Sequence, residues 1–198
     1  MSVIKKSTMQ SHVFDGISAV YAVAGGFTVS SGEVNLAASG LEVIELPVSE
    51  SGGVNINGGT PSTTQFRVHG LTAPWTSHMT PGDVELTLEV PTNDENVLKL
   101  VYGLDTLTAL SVSAIPKGTG TQTISGKGFG WPQKSVNLGL LIINDTEDKA
   151  LFIKKAKLLA SPQFNGEDKP FVVTLTGTVA EAADAESLAI LETATDDN

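Results

Sequence analysis

A strand and a short helix, separated by a single proline turn, fill residues 83–103 and constrain the fold more than any other stretch. Val84, Leu86, Leu88 and Val90 alternate with Asp83, Glu85, Thr87 and Glu89, the period of a strand with one face in a core and the other in water. Pro91 predicts the end of that strand, because it has no N–H to give to a ladder. Thr92 then stands as the N-cap of a helix, and Glu95, three residues on, completes a Thr-x-x-Glu capping box. Val97, Leu98 and Val101 give the helix an apolar stripe, and Gly103 falls where a left-handed C-terminal cap is expected. One helix set among strands points to a mainly β chain.

The flanking sequence supplies further strands. Ile17–Val23 is one, broken by Gly25 and Gly26; Leu41–Leu46 is another, ended by Pro47. Gln65–His69 puts Phe66 and Val68 on one face and Gln65, Arg67 and His69 on the other, and a looser alternation runs from Thr106 to Ile115. The plainest hairpin joins Val136–Ile143 to Ala150–Ala156 through the polar turn Asn144–Lys149. Val136–Ile143 is apolar at nearly every position, so both of its faces are expected to be covered. Phe171–Val179, rich in Val and Thr, is a further strand. Ser49–Thr64 reads as a flexible loop with only Val54 and Ile56 as apolar anchors, and Lys117–Lys134 as a second, glycine-rich loop. A chain of 198 residues can bury a real core. The expected organisation is one β domain over residues 1–180 and an acidic C-terminal segment, 181–198, whose Leu188–Leu191 run fits either a helix or an edge strand.

Charge and residue content exclude several function classes. The net charge is −10 and Arg67 is the only arginine, whereas a grip on nucleic acid needs clustered Lys and Arg. Six acids (Glu181, Asp184, Glu186, Glu192, Asp196 and Asp197) follow Ala180 with no Lys or Arg among them. Cysteine is absent, which removes disulfides and thiolate metal sites. His12, His69 and His78 lack metal-ligand spacing. The glycines from Gly118 to Gly130 miss the phosphate-loop pattern, since Lys127 is followed by Gly128 rather than Ser or Thr. Glu85 and Glu89 share a strand face and read as a solvated surface, and no Gly-x-Ser-x-Gly elbow occurs. The expectation is a protein with no catalytic, cofactor or metal residues. Lys5 and Lys6 precede a polar stretch, and the longest apolar run, Leu138–Ile143, is far below the roughly 20 residues a membrane helix needs, so neither export signal nor membrane span is expected.

Several of these segments together resemble the tail tube, or major tail, proteins of long-tailed bacteriophages, over about residues 40–180. They are Asp83–Pro91, Asn93–Gly103, the turn Asn144–Lys149, the lysine-rich Phe152–Leu158 and the late strand Pro170–Gly177. The resemblance implies a β-sandwich or partial barrel with one flanking helix, which assembles into a ring-shaped β-barrel. It implies homo-oligomeric rings, usually hexamers, stacked into a virion tail tube that is built in the host cytoplasm and passes DNA. The implied partners are further copies of the chain and other tail proteins (tape measure, terminator, baseplate), with DNA only in transit and no membrane. On this reading Glu85, Thr87 and Glu89 line the channel, with Gln65 and Arg67 on the adjoining strand. Gly52, Gly53, Asn55, Asn57, Gly58 and Gly59 would lie in an arm that reaches a neighbouring subunit or ring. Two other readings fit the same pattern. One is a surface or decoration module that binds carbohydrate or capsid through Tyr21, Trp75, Tyr102 and Trp131. The other is the tube of a type VI secretion or other contractile apparatus.

Overall fold

The computed structural model describes residues 14–37, 40–49, 53–70, 72–128, 130, 134–164, 166, 170–180 and 186–193. In chain order its strands are β1 (Ala19–Ala24), β2 (Val43–Leu46), β3 (Val54–Gly58), β4 (Ser62–Phe66), β5 (Thr76–Thr80) and β6 (Val84–Pro91). After them come β7 (Thr108–Lys117), β8 (Gly120–Gly128), β9 (Val136–Ile143), β10 (Lys149–Gln163), β11 (Val172–Val179) and β12 (Leu188–Glu192). The helix described, α1 (Glu95–Tyr102), lies between β6 and β7. The mainly β expectation holds, and no described helix is long and apolar enough to cross a membrane.

Eight strands form one antiparallel sheet in the order β2-β1-β9-β10-β11-β6-β3, with β12 paired to β10 beside this path. Chain reach shows how strongly that sheet is curled. Leu46 ends β2, and three residues later the Ser49 N–H donates to the Glu89 carbonyl of β6 at 3.3 Å. Three residues span about 10 Å at most. In a flat sheet β2 and β6, five strand spacings apart, would be separated by about 24 Å. The sheet therefore rolls until its two ends face each other, as a partial barrel that does not close: β2 and β3 are its free ends. A cavity of about 880 Å³, lined by Phe14, Leu46, Pro47, Val48 and Val54 among others, marks the gap.

The concave face holds the core. Leu86, Leu88 and Val90 of β6 are fully buried there, beside Leu138, Leu140 and Ile142 of β9, Ile153 and Leu158 of β10, and Val173 and Leu175 of β11. Helix α1 adds Val97, Leu98, Leu100, Val101 and Tyr102 and touches β2 and β10. A second cluster covers the opposite face of β9 and β10, where Phe27 packs on Phe152 with ring centroids 5.1 Å apart. Both faces of β9 are covered, as its composition predicts. Gly139 on β9 makes room for Phe27, since a Cβ there would come within 2.6 Å of the ring.

Strand β10 serves two neighbours on one side. Its first half, Lys149–Ile153, pairs with β12 and its second half, Ala156–Gln163, with β11, and a bulge between Ile153 and Ala156 divides them. The bulge leaves no idle backbone: Lys154 O accepts from Phe27 N and Lys155 O from Ala180 N, both at 2.8 Å. Of the two alternatives for the Leu188–Leu191 run, the structure shows the edge strand: Leu188–Glu192 pairs with β10. Residues 181–185 and 194–198 of the C-terminal segment lie outside the described residues.

Three local expectations change. The helix is capped by Asp94 rather than Thr92: Asp94 Oδ1 accepts from Asn96 N at 2.8 Å and Val97 N at 3.2 Å, while Thr92 Oγ1 accepts from Asp94 N. A carboxylate offers two acceptors to the first-turn donors and matches the positive end of the helix. Glu95, freed from a capping box, pairs with Lys99 at 2.8 Å. Gly103 does adopt the left-handed conformation, with φ 61°. The two expected loops also carry strands. Gly53–Gly59 continues into the body as β3, and Gly120–Gly128 is β8. Of the residues expected in an arm, Gly53, Asn55, Asn57, Gly58 and Gly59 have their backbone held by the β6 ladder, and Gly52 lies outside the described residues.

Candidate assembly surface

Four strands take no part in the main sheet. β4 pairs only with β5, and β7 only with β8, so each pair is a two-stranded ribbon with both outer edges unpaired. The first ribbon continues the β3–β6 ladder: Gly58 faces Val84, Gly59 N donates to Asp83 O at 2.8 Å, and Ser62 faces Thr80 without a change of register. Pro61 and Pro81 interrupt the ladder between its two lengths. Gly59 and Gly82 permit the close crossing there, since a Cβ on Gly82 would meet the Gly59 Cα at 2.7 Å. Beyond this waist the two strands run to the distal end of the arm, where the Trp75 N–H donates to the Phe66 carbonyl.

The second ribbon turns at Gly118 and Thr119, a two-residue loop with Gly118 at φ 59°, as hairpin twist favours. A bulge with Ala114 at φ 60° lies part-way along β7. At its base Lys127 reaches Glu95 of α1 at 3.6 Å. The hydrogen bond from Lys99, with the charge of Lys127 beside it, lowers the Glu95 carboxyl pKa.

Neither arm has a core of its own. Phe66 and Met79 stand on opposite faces of the first arm at 64% and 65% exposure. The second arm is amphipathic. Leu110, Val112 and Ile124 share one face, with Leu110 60% exposed, and Ser111, Ser125 and Lys127 share the other, with the two serine Oγ atoms 2.8 Å apart. Isolated two-stranded ribbons are marginal in water, and clustered exposed apolar side chains mark contact surfaces.

The residues expected to line a channel fall in two places. Glu85, Thr87 and Glu89 are on the convex face of β6, flanked by Asn57 and Asn55 on β3 and by Thr178, Thr176 and Thr174 on β11. Gln65 is not on a strand beside them: β4 prolongs β3 instead of pairing with β6, which sets Gln65 about 26 Å further along the ladder. Arg67 lies at the distal end of the same arm, its guanidinium on Gln65 Oε1 at 3.0 Å. Of the four aromatics considered for a ligand platform, Tyr102 is buried in the core, Trp75 is at an arm tip, Tyr21 is on β1, and Trp131 is outside the described residues. The three described ones share no surface. Among the described residues no cluster of His, Asp or Glu could hold a metal. The second strand of the β7–β8 arm was hidden in the sequence by its glycines; its signals were the Lys-Gly-Thr-Gly turn and the Thr121, Thr123 and Ile124 that follow.

No protein-family model matches the chain, and no curated protein shows significant similarity to it.

Proposed function

We propose that this chain is a structural subunit that assembles with copies of itself into stacked rings, forming the tail tube of a bacteriophage through which DNA passes. The observation that supports this reading is the pair of projecting ribbons. They present four strands with an unpaired edge each and apolar side chains in water. β6 and β11 are paired on both sides, so in this part of the body joining across copies falls to the arms and to the open edge of β3. Open edges of this kind are covered or paired in working proteins, and closure of a ring supplies every edge with a partner at once. Hexameric symmetry, other tail proteins as partners and residence in the virion come with the family resemblance.

The test removes an arm without touching the body. Gly59 and Gly82 lie together at the waist, so residues 60–81 can be replaced by an Asn-Gly turn that closes the β3–β6 hairpin. The full chain is expected to form rings or hollow tubes by negative-stain electron microscopy. The shortened chain should stay a folded monomer with an unchanged circular dichroism melt. Uniform small particles from the full chain under all conditions would sink the tube assignment.

A further inference from the structure

Acidic residues are unevenly placed along the chain. No Asp or Glu occurs between Glu50 and Asp83, nor between Asp105 and Asp145, so all 22 acids lie outside the two stretches that contain the arms. Each arm instead carries a cation at its distal end: Arg67 opens the turn after β4, and Lys117 ends β7 beside the Gly118–Thr119 turn. Among the described residues neither forms an ion pair; the Arg67 guanidinium rests on the neutral Gln65 amide. The other arm cation, Lys127, sits at the base and is already held by Glu95.

We propose that the arms dock, cationic tip first, onto the carboxylate-bearing body of a second copy of this chain. The inference rests on the assembly reading and names what the arms recognise. All 22 acids of a chain with net charge −10 lie outside the arm stretches of the sequence, so two copies repel each other except where an arm tip leads. The acid-free tips are the parts of one copy that approach the body of another down a favourable field. The apolar residues Phe66, Met79, Leu110 and Ile124 then leave water behind them. Duplex DNA is the weaker candidate for the same tips, because two isolated cations release too few counterions for a firm grip.

The experiment follows association of the full chain by light scattering and sedimentation as sodium chloride rises. Between about 50 mM and about 500 mM the screening length falls from roughly 14 Å to roughly 4 Å, so the rate advantage that the cationic tips give the parent, on the order of tenfold at low salt, should vanish. The double variant Arg67→Glu/Lys117→Glu should be slowed by a similar factor at low salt and match the parent at high salt, with an unchanged thermal melt. Arg67→Lys should behave as the parent. Salt that speeds association, together with a double variant indistinguishable from the parent, would overturn the proposal and leave the tube reading standing on apolar contacts alone. Absence of association in every condition would overturn both. Retention of a duplex DNA probe by the parent and its loss in the double variant would make nucleic acid the occupant and refute docking on a second copy.

Discussion

Residues 54–58 paired with 84–88, and residues 62–66 paired with 76–80, are consecutive lengths of one antiparallel ladder in one register. The first length is part of the body and the second is an arm in water. Backbone hydrogen bonding is the same in both, so it does not decide the difference. Side-chain pattern does. β6 alternates strictly and sends Leu86, Leu88 and Val90 into the concave core, whereas β4 and β5 are Ser, Thr, Gln and His with one large apolar residue on each face. A ribbon of that kind can bury nothing against its own body from either side. The comparison separates what folds the monomer from what the proposed assembly would use, and mutations can test the line between them.

The largest effect on folding is expected on the body side. Leu88→Ala removes a fully buried side chain from the middle of the curled sheet and should cost about 2–5 kcal/mol, by urea denaturation, from lost transfer and the cavity left behind. Its register partner Leu175 is equally buried, which leaves little room for the site to collapse. A cost below about 1 kcal/mol would mean that the concave face is looser than the curl implies.

A smaller effect distinguishes the two capping assignments. Asp94→Ala should destabilise by about 0.5–2 kcal/mol because two first-turn N–H groups lose their acceptor. Thr92→Val, which removes only the bond to Asp94 N, should cost less in the same melt. The reverse order would restore Thr92 as the cap.

These two sites also show where the sequence was legible. The alternation of β6, the covered faces of β9 and the glycine end of α1 were readable because each depends on neighbours a few residues away. The cap was misplaced because Thr92 and Asp94 are both good caps and only the entry angle after Pro91 selects between them. The same reason hid the curl, since Ser49 meeting Glu89 is a contact between distant strands that no local period encodes. The pairing of Val54–Gly58 with β6 was likewise hidden, because this polar, glycine-rich run has only Val54 and Ile56 to mark it as a strand. The β7–β8 ribbon was only half legible: the alternation of Thr106–Ile115 showed its first strand, while the glycines of Gly120–Gly128 concealed the second. Of the expected channel residues, Glu85, Thr87 and Glu89 share a face as the period-2 pattern requires, while Gln65 and Arg67 were separated from them by a topology that carries β4 past β3.

The smallest expected effect on folding is the most informative about the arms. Leu110→Ser/Ile124→Ser replaces two exposed side chains on the apolar face of the β7–β8 ribbon and leaves its serine face, with Ser111 and Ser125, untouched. Neither residue belongs to a core cluster, so the melting curve should shift by no more than about 0.5 kcal/mol. If that face is a contact surface, electron microscopy should find rings and tubes lost even though the monomer is intact. A variant that unfolds with the body would show that the ribbon leans on the core after all, and the division between body and arm would have to move to the base of β7. One that folds and still assembles would shift the burden of assembly to the β4–β5 arm, where Phe66 and Met79 remain as the only large apolar anchors within the ladder.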